Sequence, residues 1–439
     1  MRDAQGHPLS GATGEAASAY EEGARAFVLV YGDALARFDA AIAASPQFSM
    51  AYLAKAWALL LANDPGTLAL AKATVEAARP LERNEREQAH FAALSHAVGG
   101  ARTSAAAILD RHLRGAPLDL VAHQAAMALD LWAGRPDLMS ARPARAMPFW
   151  SRNQPGYGTI LAYRGFGLEE MGEYRRAEDA SREAAELEPC SFWPHHTVSH
   201  VMEETARPRD GLAWMAEREA FWASPGHVFQ LHIWWHRALF HIELGKYDAA
   251  LELYDGPVRA TQRPVGTHLT NAPSLLWRLD ALGCDVGNRW AELAALWQGH
   301  ADGRSLVFTD IHAAMAELAT GDHSAVARRV EAMRTTAGRG SEVSEAYARV
   351  GLPAVEGFAA FRSEAYGPAV DHLLRAQREL WRMGGSHAQR DVVAWTSIEA
   401  AIRAGYRDVA LALAHERIAA RPSSVPNQQW MERAEALPA

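Results

Sequence analysis

A phased recurrence of glycine, alanine, an aromatic residue and proline constrains this 439-residue chain more than any other feature. In the stretch GFGLEEMGEYRRAEDASREAAELEP, Gly165, Gly172, Tyr174, Ala177, Ala184 and Pro189 stand at the offsets of a helix, a tight turn and a second helix. The reason is packing. Two helices approach closely only where the facing side chains are small, and an aromatic ring fills the wedge between them. Trp234, Gly245, Tyr247, Ala250 and Tyr254 give a second copy. Ala34, Phe38, Ala41 and Pro46 give the second half of an early copy, and Gly357, Tyr366, Ala369 and Leu373 a late one. Gly405, Ala410 and Pro422 fit the last. One such match carries little weight, but five in compatible phase specify a stack of helix pairs.

Between these marks the chain reads as helix. AAIAASPQFSMAYLAKAWALLLA is rich in Ala and Leu, with few β-branched runs and no Asn-Gly hairpin signal. The spacing and the small-residue pattern are those of a tetratricopeptide repeat, a helix–turn–helix of ~34 residues. The predicted fold class is therefore all-α, an α-α superhelix of the tetratricopeptide-like helical-repeat solenoid type. The first helices of successive pairs (A helices) are expected to line the concave side. Length alone allows about three domains. No linker or low-complexity tract marks a boundary, so residues 1–439 are expected to form a single continuous helical-repeat domain. Residues 1–20 are expected to be a disordered or capping N-terminal segment.

Composition removes several function classes. A net charge of −8 argues against a basic face for nucleic acid or anionic membrane, so neither is an expected partner. Only Cys190 and Cys284 occur, which excludes a disulfide framework and a cysteine-built zinc site. The opening run MRDAQGHPLSGATGEAAS has no apolar signal core, and no apolar run nears the ~20 residues of a membrane span. A cytoplasmic location is the expectation. HExxH, CxxC, phosphate-loop and nucleophile-elbow patterns do not occur.

The histidines point to chemistry. Among 19, His196 and His200 lie four apart and share a helical face, which Glu203 can join. His232 and His236 form a second pair four apart, 36 residues beyond the first, close to one repeat. Two neighbouring A helices can thus bring four imidazoles and a carboxylate together. His90, His236 and His312 each lie nine residues before a turn glycine (Gly99, Gly245 and Gly321), which gives them one common repeat position near the concave wall. Asp310 lies two before His312. Two histidines plus a carboxylate are a common ligand set for zinc or non-haem iron, with positions left for water or substrate. His196, His200, His232 and His236 are the candidate metal ligands. With Glu203, Asp310 and His312 they form the candidate catalytic set, because His–carboxylate pairs also serve acid–base work near neutral pH. Arg86 and Arg390 offer paired donors to a carboxylate or phosphate. Arg86, His90, His387, Gln389, Arg390 and Asp391 make up the candidate ligand-binding set. The plainer reading of each histidine alone is packing and hydrogen bonding between helices. The plainer reading of GGSHAQRD is a capping turn in which Gly384 and Gly385 stop one helix and Ser386 caps the next.

Motifs outside the repeat pattern resemble a known family. HTVSHVMEETARPRDGLAWM from His196, LHIWWHRALFHIELGKYDAAL from Leu231 and GGSHAQRDV from Gly384 resemble the tetratricopeptide repeat protein 38 family, in particular its bacterial relatives. So do LERNEREQAHFAAL from Leu81, FTDIHAAMAEL from Phe308 and VGLP at Val350 to Pro353. The resemblance spans roughly residues 30–430. It implies an all-helical repeat fold and no particular reaction. One position departs: His387 stands where the animal relatives carry Asn.

Two function classes follow. The first is a His-rich internal site that binds a small molecule and is suited to converting it, with a divalent metal, zinc or iron, as a candidate cofactor. The second is a non-enzymatic scaffold that holds a peptide or protein partner in its concave groove. Grooves that capture a C-terminal carboxylate use Lys, Arg and Asn on A helices. This chain places His, Asp and Glu there, which favours the first class.

Overall fold

A computed structural model describes residues 1–438. The described residues fold into α-helices joined by short turns, and consecutive helices pack in pairs. Their β pairing is confined to two isolated bridges, Arg2–Pro8 and Tyr31–His227. The fold is the all-α, tetratricopeptide-like helical-repeat solenoid that the phased pattern predicts. No helix of the described residues is long and apolar enough to cross a membrane. The chain divides into two compact units: Met1–Val198 with Arg218–Gln230, and Ser199–Glu217 with Leu231–Ala439.

The first unit is regular. Gly14–Leu29 packs on Ala34–Ala44, Ser49–Leu61 on Pro65–Ala78, Glu85–Ala97 on Arg102–Gly115, and Tyr157–Glu170 on Tyr174–Leu187. Gly165 shows why the pattern needs small residues. A Cβ there would lie 2.2 Å from Ser181 Oγ on the paired helix. Gly172 turns the chain between the two helices at φ +77°, a conformation open to a residue without Cβ. Polar side chains fix the helix starts. Asn84 and Glu87 form a reciprocal cap at Glu85–Ala97, and Asp119 accepts the Ala122 amide at the start of Leu120–Ala133. The N-terminal residues dock beside the first of these caps. Leu9 is buried, the Ser10 amide donates to Glu87 Oε1 at 2.9 Å, and Asn84 Nδ2 donates to the Pro8 carbonyl at 3.0 Å.

The second unit is less regular. Gln230–Glu243 is a full helix, but its partner Tyr247–Leu253 is short and runs into a wider π-helical turn over Tyr254–Val258. Pro257 explains the break: it has no N–H to give and its ring crowds the preceding turn. The repeat copy from Trp234 to Tyr254 is therefore regular only in its first helix. Asn271–Ala281, Val307–Ala319 and Leu352–Arg362 follow. The pair His387–Arg403 and Arg407–Ala420 leads to the final helix Val425–Glu435. The tryptophans Trp235, Trp277, Trp395 and Trp430 are fully buried in this unit.

Candidate metal centre

Histidines gather at two places, one in each unit: the first sets two imidazoles and a carboxylate at metal-ligand spacing, the second three imidazoles. In the first unit, single ligand atoms of His90, His112 and Asp119 lie within 4.8 Å of one another. Asp119 sits at the centre. Its carboxylate accepts from Arg86 Nε at 2.7 Å and Nη2 at 3.1 Å, and from the Nε2 atoms of His90 and His112 at 3.0 Å each. Burial alone would raise its pKa. Arg86, then His90 and His112, outweigh burial and hold it well below the usual carboxylate range. The tautomer of His90 is set from behind. Trp57 Nε1 can only donate, and it lies 2.9 Å from His90 Nδ1. Nδ1 therefore accepts, and the ring proton sits on Nε2, facing Asp119. A metal bound at Nε2 would need that proton moved to Nδ1, where it would meet the Trp57 N–H head-on. It would also have to share Asp119 with a guanidinium. This cluster is a closed hydrogen-bond network that ties Arg86 to Asp119 and, at 2.6 Å, to Asp3.

The second gathering has the opposite logic. Ligand nitrogens of His200, His232 and His236 lie within 4.8 Å of one another. The ring centroids of His200 and His236 are 4.7 Å apart, as are those of His232 and His236. His200 comes from Phe192–Glu204, and the other two come from Gln230–Glu243. All three are buried. His232 Nδ1 lies 2.6 Å from Asn271 Oδ1. The Asn271 amide is oriented by its Nδ2, which donates to the His268 carbonyl at 3.1 Å, so the oxygen faces the imidazole. Nδ1 of His232 therefore donates, and its lone pair lies on Nε2. Glu203 Oε2 lies 3.1 Å from His236 Nδ1. An oxygen behind Nδ1 is the arrangement by which metal-binding histidines are oriented. Burial lowers the His232 pKa to about 3, holds that of His236 well below its ordinary value, and pushes Glu203 up to about 8. His196 lies one turn before His200 on the same helix and so on the same face.

The structure brings Asp391 toward this centre through an arginine absent from the sequence reading. Arg421 Nη2 donates to Glu204 Oε1 at 2.8 Å and lies 3.8 Å from Glu203 Oε1, while its Nη1 lies 3.3 Å from Asp391 Oδ2. Asp391 also accepts from Arg417 at 2.8 Å and from Trp395 Nε1 at 2.8 Å. It orients Arg417 and Arg421. Arg390 turns back to the Gly385 carbonyl, and Gln389 Oε1 accepts the Ser386 amide at 3.0 Å. Both contacts are of the kind a capping turn makes. His387 is exposed at the helix start.

Three further expectations need correction. Arg86 was expected to meet a ligand anion, but its fork closes on Asp119 and Asp3. Asp310 was expected to act in catalysis, but it accepts from Gly303 N at 2.8 Å, Arg329 Nη1 at 2.5 Å and Tyr347 Oη at 2.5 Å, which locks it into the fold. His90, His236 and His312 do share a repeat position, yet all three are buried and none lines an open wall. His312 donates from Nδ1 to the Phe308 carbonyl at 2.7 Å.

No family model matches the chain. Solved structures similar to it include the human IFIT1 dimer with m7Gppp-AAAA, at 14% identity and TM-score 0.43, over 96% of this chain and 94% of that one. The APC/C hetero-tetramer Cut9-Hcn1 gives 14% identity and TM-score 0.41, over 95% of this chain and 76% of that one. The P58(IPK) TPR domain gives 12% identity and TM-score 0.23, over 81% of this chain and 98% of that one.

Proposed function

We propose that this helical-repeat protein, read as a bacterial relative of the tetratricopeptide repeat protein 38 family on its sequence motifs, holds a divalent metal of the zinc or iron class on His200, His232 and His236. The metal centre binds a small molecule and is suited to converting it. The observation that carries the reading is the pair His232–Asn271. A carbonyl oxygen 2.6 Å from Nδ1 makes that nitrogen the donor and commits the lone pair to Nε2. On a tetrahedral zinc with ~2.0–2.1 Å bonds, neighbouring nitrogens stand about 3.4 Å apart, so the rings need close by little more than 1 Å. The Glu203 carboxyl stands 3.1 Å behind His236 Nδ1, where an oxygen can orient a metal-binding imidazole. A metal with an open position would supply an activated water or polarise a bound oxygen.

Elemental analysis of untagged, chelator-free protein tests this. One zinc or iron per chain is expected in the wild type and in His90→Ala, and close to none in His232→Ala. Metal-free wild type that also fails to take up cobalt(II) would overturn the reading and favour the peptide-binding scaffold.

A further inference from the structure

Six arginines are buried in the described residues, and five of them meet a carboxylate. Arg86 meets Asp119 and Asp3, Arg142 meets Asp130, Arg218 meets Glu186, Arg329 meets Asp310 and Glu317, and Arg421 meets Asp391 and Glu204. Arg278 is the exception. It is 1% exposed, on Asn271–Ala281 in the second unit. Its Nη1 donates to the carbonyl and the hydroxyl of Ser274, and its Nη2 donates once, to the Ala388 carbonyl at 2.8 Å. These acceptors are all neutral. Among the described residues Nε has no acceptor, and no carboxylate is at ion-pair distance. The indole rings of Trp235 and Trp395 lie 5.6 and 5.7 Å from the guanidinium carbon.

The nearest acids are engaged elsewhere. Asp391 is held by Arg417 and Arg421, and Glu203 faces His236. Burial lowers the Arg278 pKa to about 10, which leaves it charged at neutral pH. It stands beside the His centre, because the Trp235 ring that it faces lies 4.8 Å, centroid to centroid, from the His236 ring. A buried cation whose nearest acids, Asp391 and Glu203, act on it only from beyond ion-pair distance keeps much of its desolvation penalty, and paired donors on a planar guanidinium match a carboxylate. The two indoles offset part of that penalty, but they present faces and not acceptors.

We infer that Arg278 is the docking point for the carboxylate of a small organic acid, bound beside the His centre of the second unit. This goes beyond the metal reading and stands without it, since the anion meets the guanidinium and not the metal. The ligand class is a small molecule with at least one free carboxylate, held by Nε and the remaining Nη2 hydrogen.

Thermal melts of the full chain test the inference, with acetate and inorganic phosphate as probes against chloride at equal ionic strength, after chelator treatment. Acetate is expected to raise the melting temperature of metal-stripped wild type beyond chloride, and to do so in a saturable way. Arg278→Met should abolish that shift. Arg278→Lys, which keeps the charge and loses the planar fork, should weaken acetate by about tenfold or more and serves where the Met variant does not fold. Metal content in Arg278→Lys should match the wild type. No acetate shift, a shift retained in the Met variant or undiminished in the Lys variant, or a shift seen only with metal loaded would overturn the inference. A response to phosphate without one to acetate would overturn the carboxylate assignment.

Discussion

The His90–His112–Asp119 cluster and the His200–His232–His236 cluster have similar inventories and opposite chemistry. What separates them is the group behind one imidazole. Trp57 can only donate, so it makes His90 Nδ1 an acceptor and sends the ring proton to Nε2. Asn271 presents an oxygen, so it makes His232 Nδ1 a donor and puts the lone pair on Nε2. The counter-charges differ as well. Asp119 is ionised and neutralised by Arg86 at 2.7 Å, whereas burial pushes the Glu203 carboxyl up to about 8, with an imidazole at 3.1 Å and the nearest guanidinium, that of Arg421, at 3.8 Å. Proximity of ligand atoms is thus a poor guide to a metal site until the outer partners have assigned the protons.

Removing Asp119 should break the comparison hardest. Asp119→Asn leaves Arg86 buried with only Asp3 as counter-charge and faces it with an amide in place of a carboxylate. Loss of one partner from a buried ion pair costs about 3–5 kcal/mol. Urea unfolding should report a loss of that order. A loss under about 1 kcal/mol, the range of an exposed pair, would show that the network is not the closed structural element described above.

The outer partners give a sharper and smaller effect. Asn271→Leu removes the oxygen behind His232, and the metal affinity of the second cluster should fall by about 10–100-fold. The buried Nδ1–H loses its acceptor at a cost of about 1–3 kcal/mol. Trp57→Phe removes one hydrogen bond from the first cluster, with a loss of about 1 kcal/mol and no change in metal content. Competition for zinc against a chromophoric chelator measures the first effect. Equal zinc affinity in Asn271→Leu and wild type would sink the tautomer argument.

The sequence made the fold legible because helix pairing is written locally. Gly165, Gly172 and Gly245 mark close approaches and turns through the residues within one pair. The clusters were legible only in part because they are written at a distance of one repeat. Trp57 and His90, Arg86 and Asp119, and Glu203 and His236 each lie 33 residues apart and meet on neighbouring first helices. The His pairs were visible through the same offset. Asp119, which follows Pro117 and precedes an apolar run, reads as an ordinary helix cap, and nothing nearby shows that it also faces Arg86. Arg421 lies 217 residues from Glu204, so no repeat offset points to it, and Asn271, 39 residues from His232, overshoots the 33-residue offset of the other contacts. Arg390 and Gln389 were overread for a related reason. A capping turn and an anion site use the same residue types, and only the backbone contacts to Gly385 and Ser386 tell them apart.

The smallest effect is a pH dependence that separates buried histidine from buried carboxylate. His312 is fully buried. Burial lowers its pKa to about 4, with Arg278 adding to the shift and the bond to the Phe308 carbonyl opposing it. In the unfolded chain the same ring takes a proton near ~6.5. Between these values the unfolded state binds more protons, so stability rises with pH across that window. The His312 contribution is therefore fully present above ~6.5 and is lost as pH falls toward about 4. Asp119 behaves differently. Its folded pKa is depressed below the ordinary ~3.9, so its contribution is fully present above that value and is lost only in stronger acid. Mild acidification thus loads the buried histidines and leaves the Arg86–Asp119 network intact. From about pH 7.5 to about 6.0, His312 alone should lose about 0.8 kcal/mol. His312→Gln should flatten the urea-derived stability profile by that amount over this range, and leave the fall below about pH 4 unchanged. A variant whose profile runs parallel to the wild type between about pH 7.5 and 6.0 would show that His312 does not stay neutral in the folded protein.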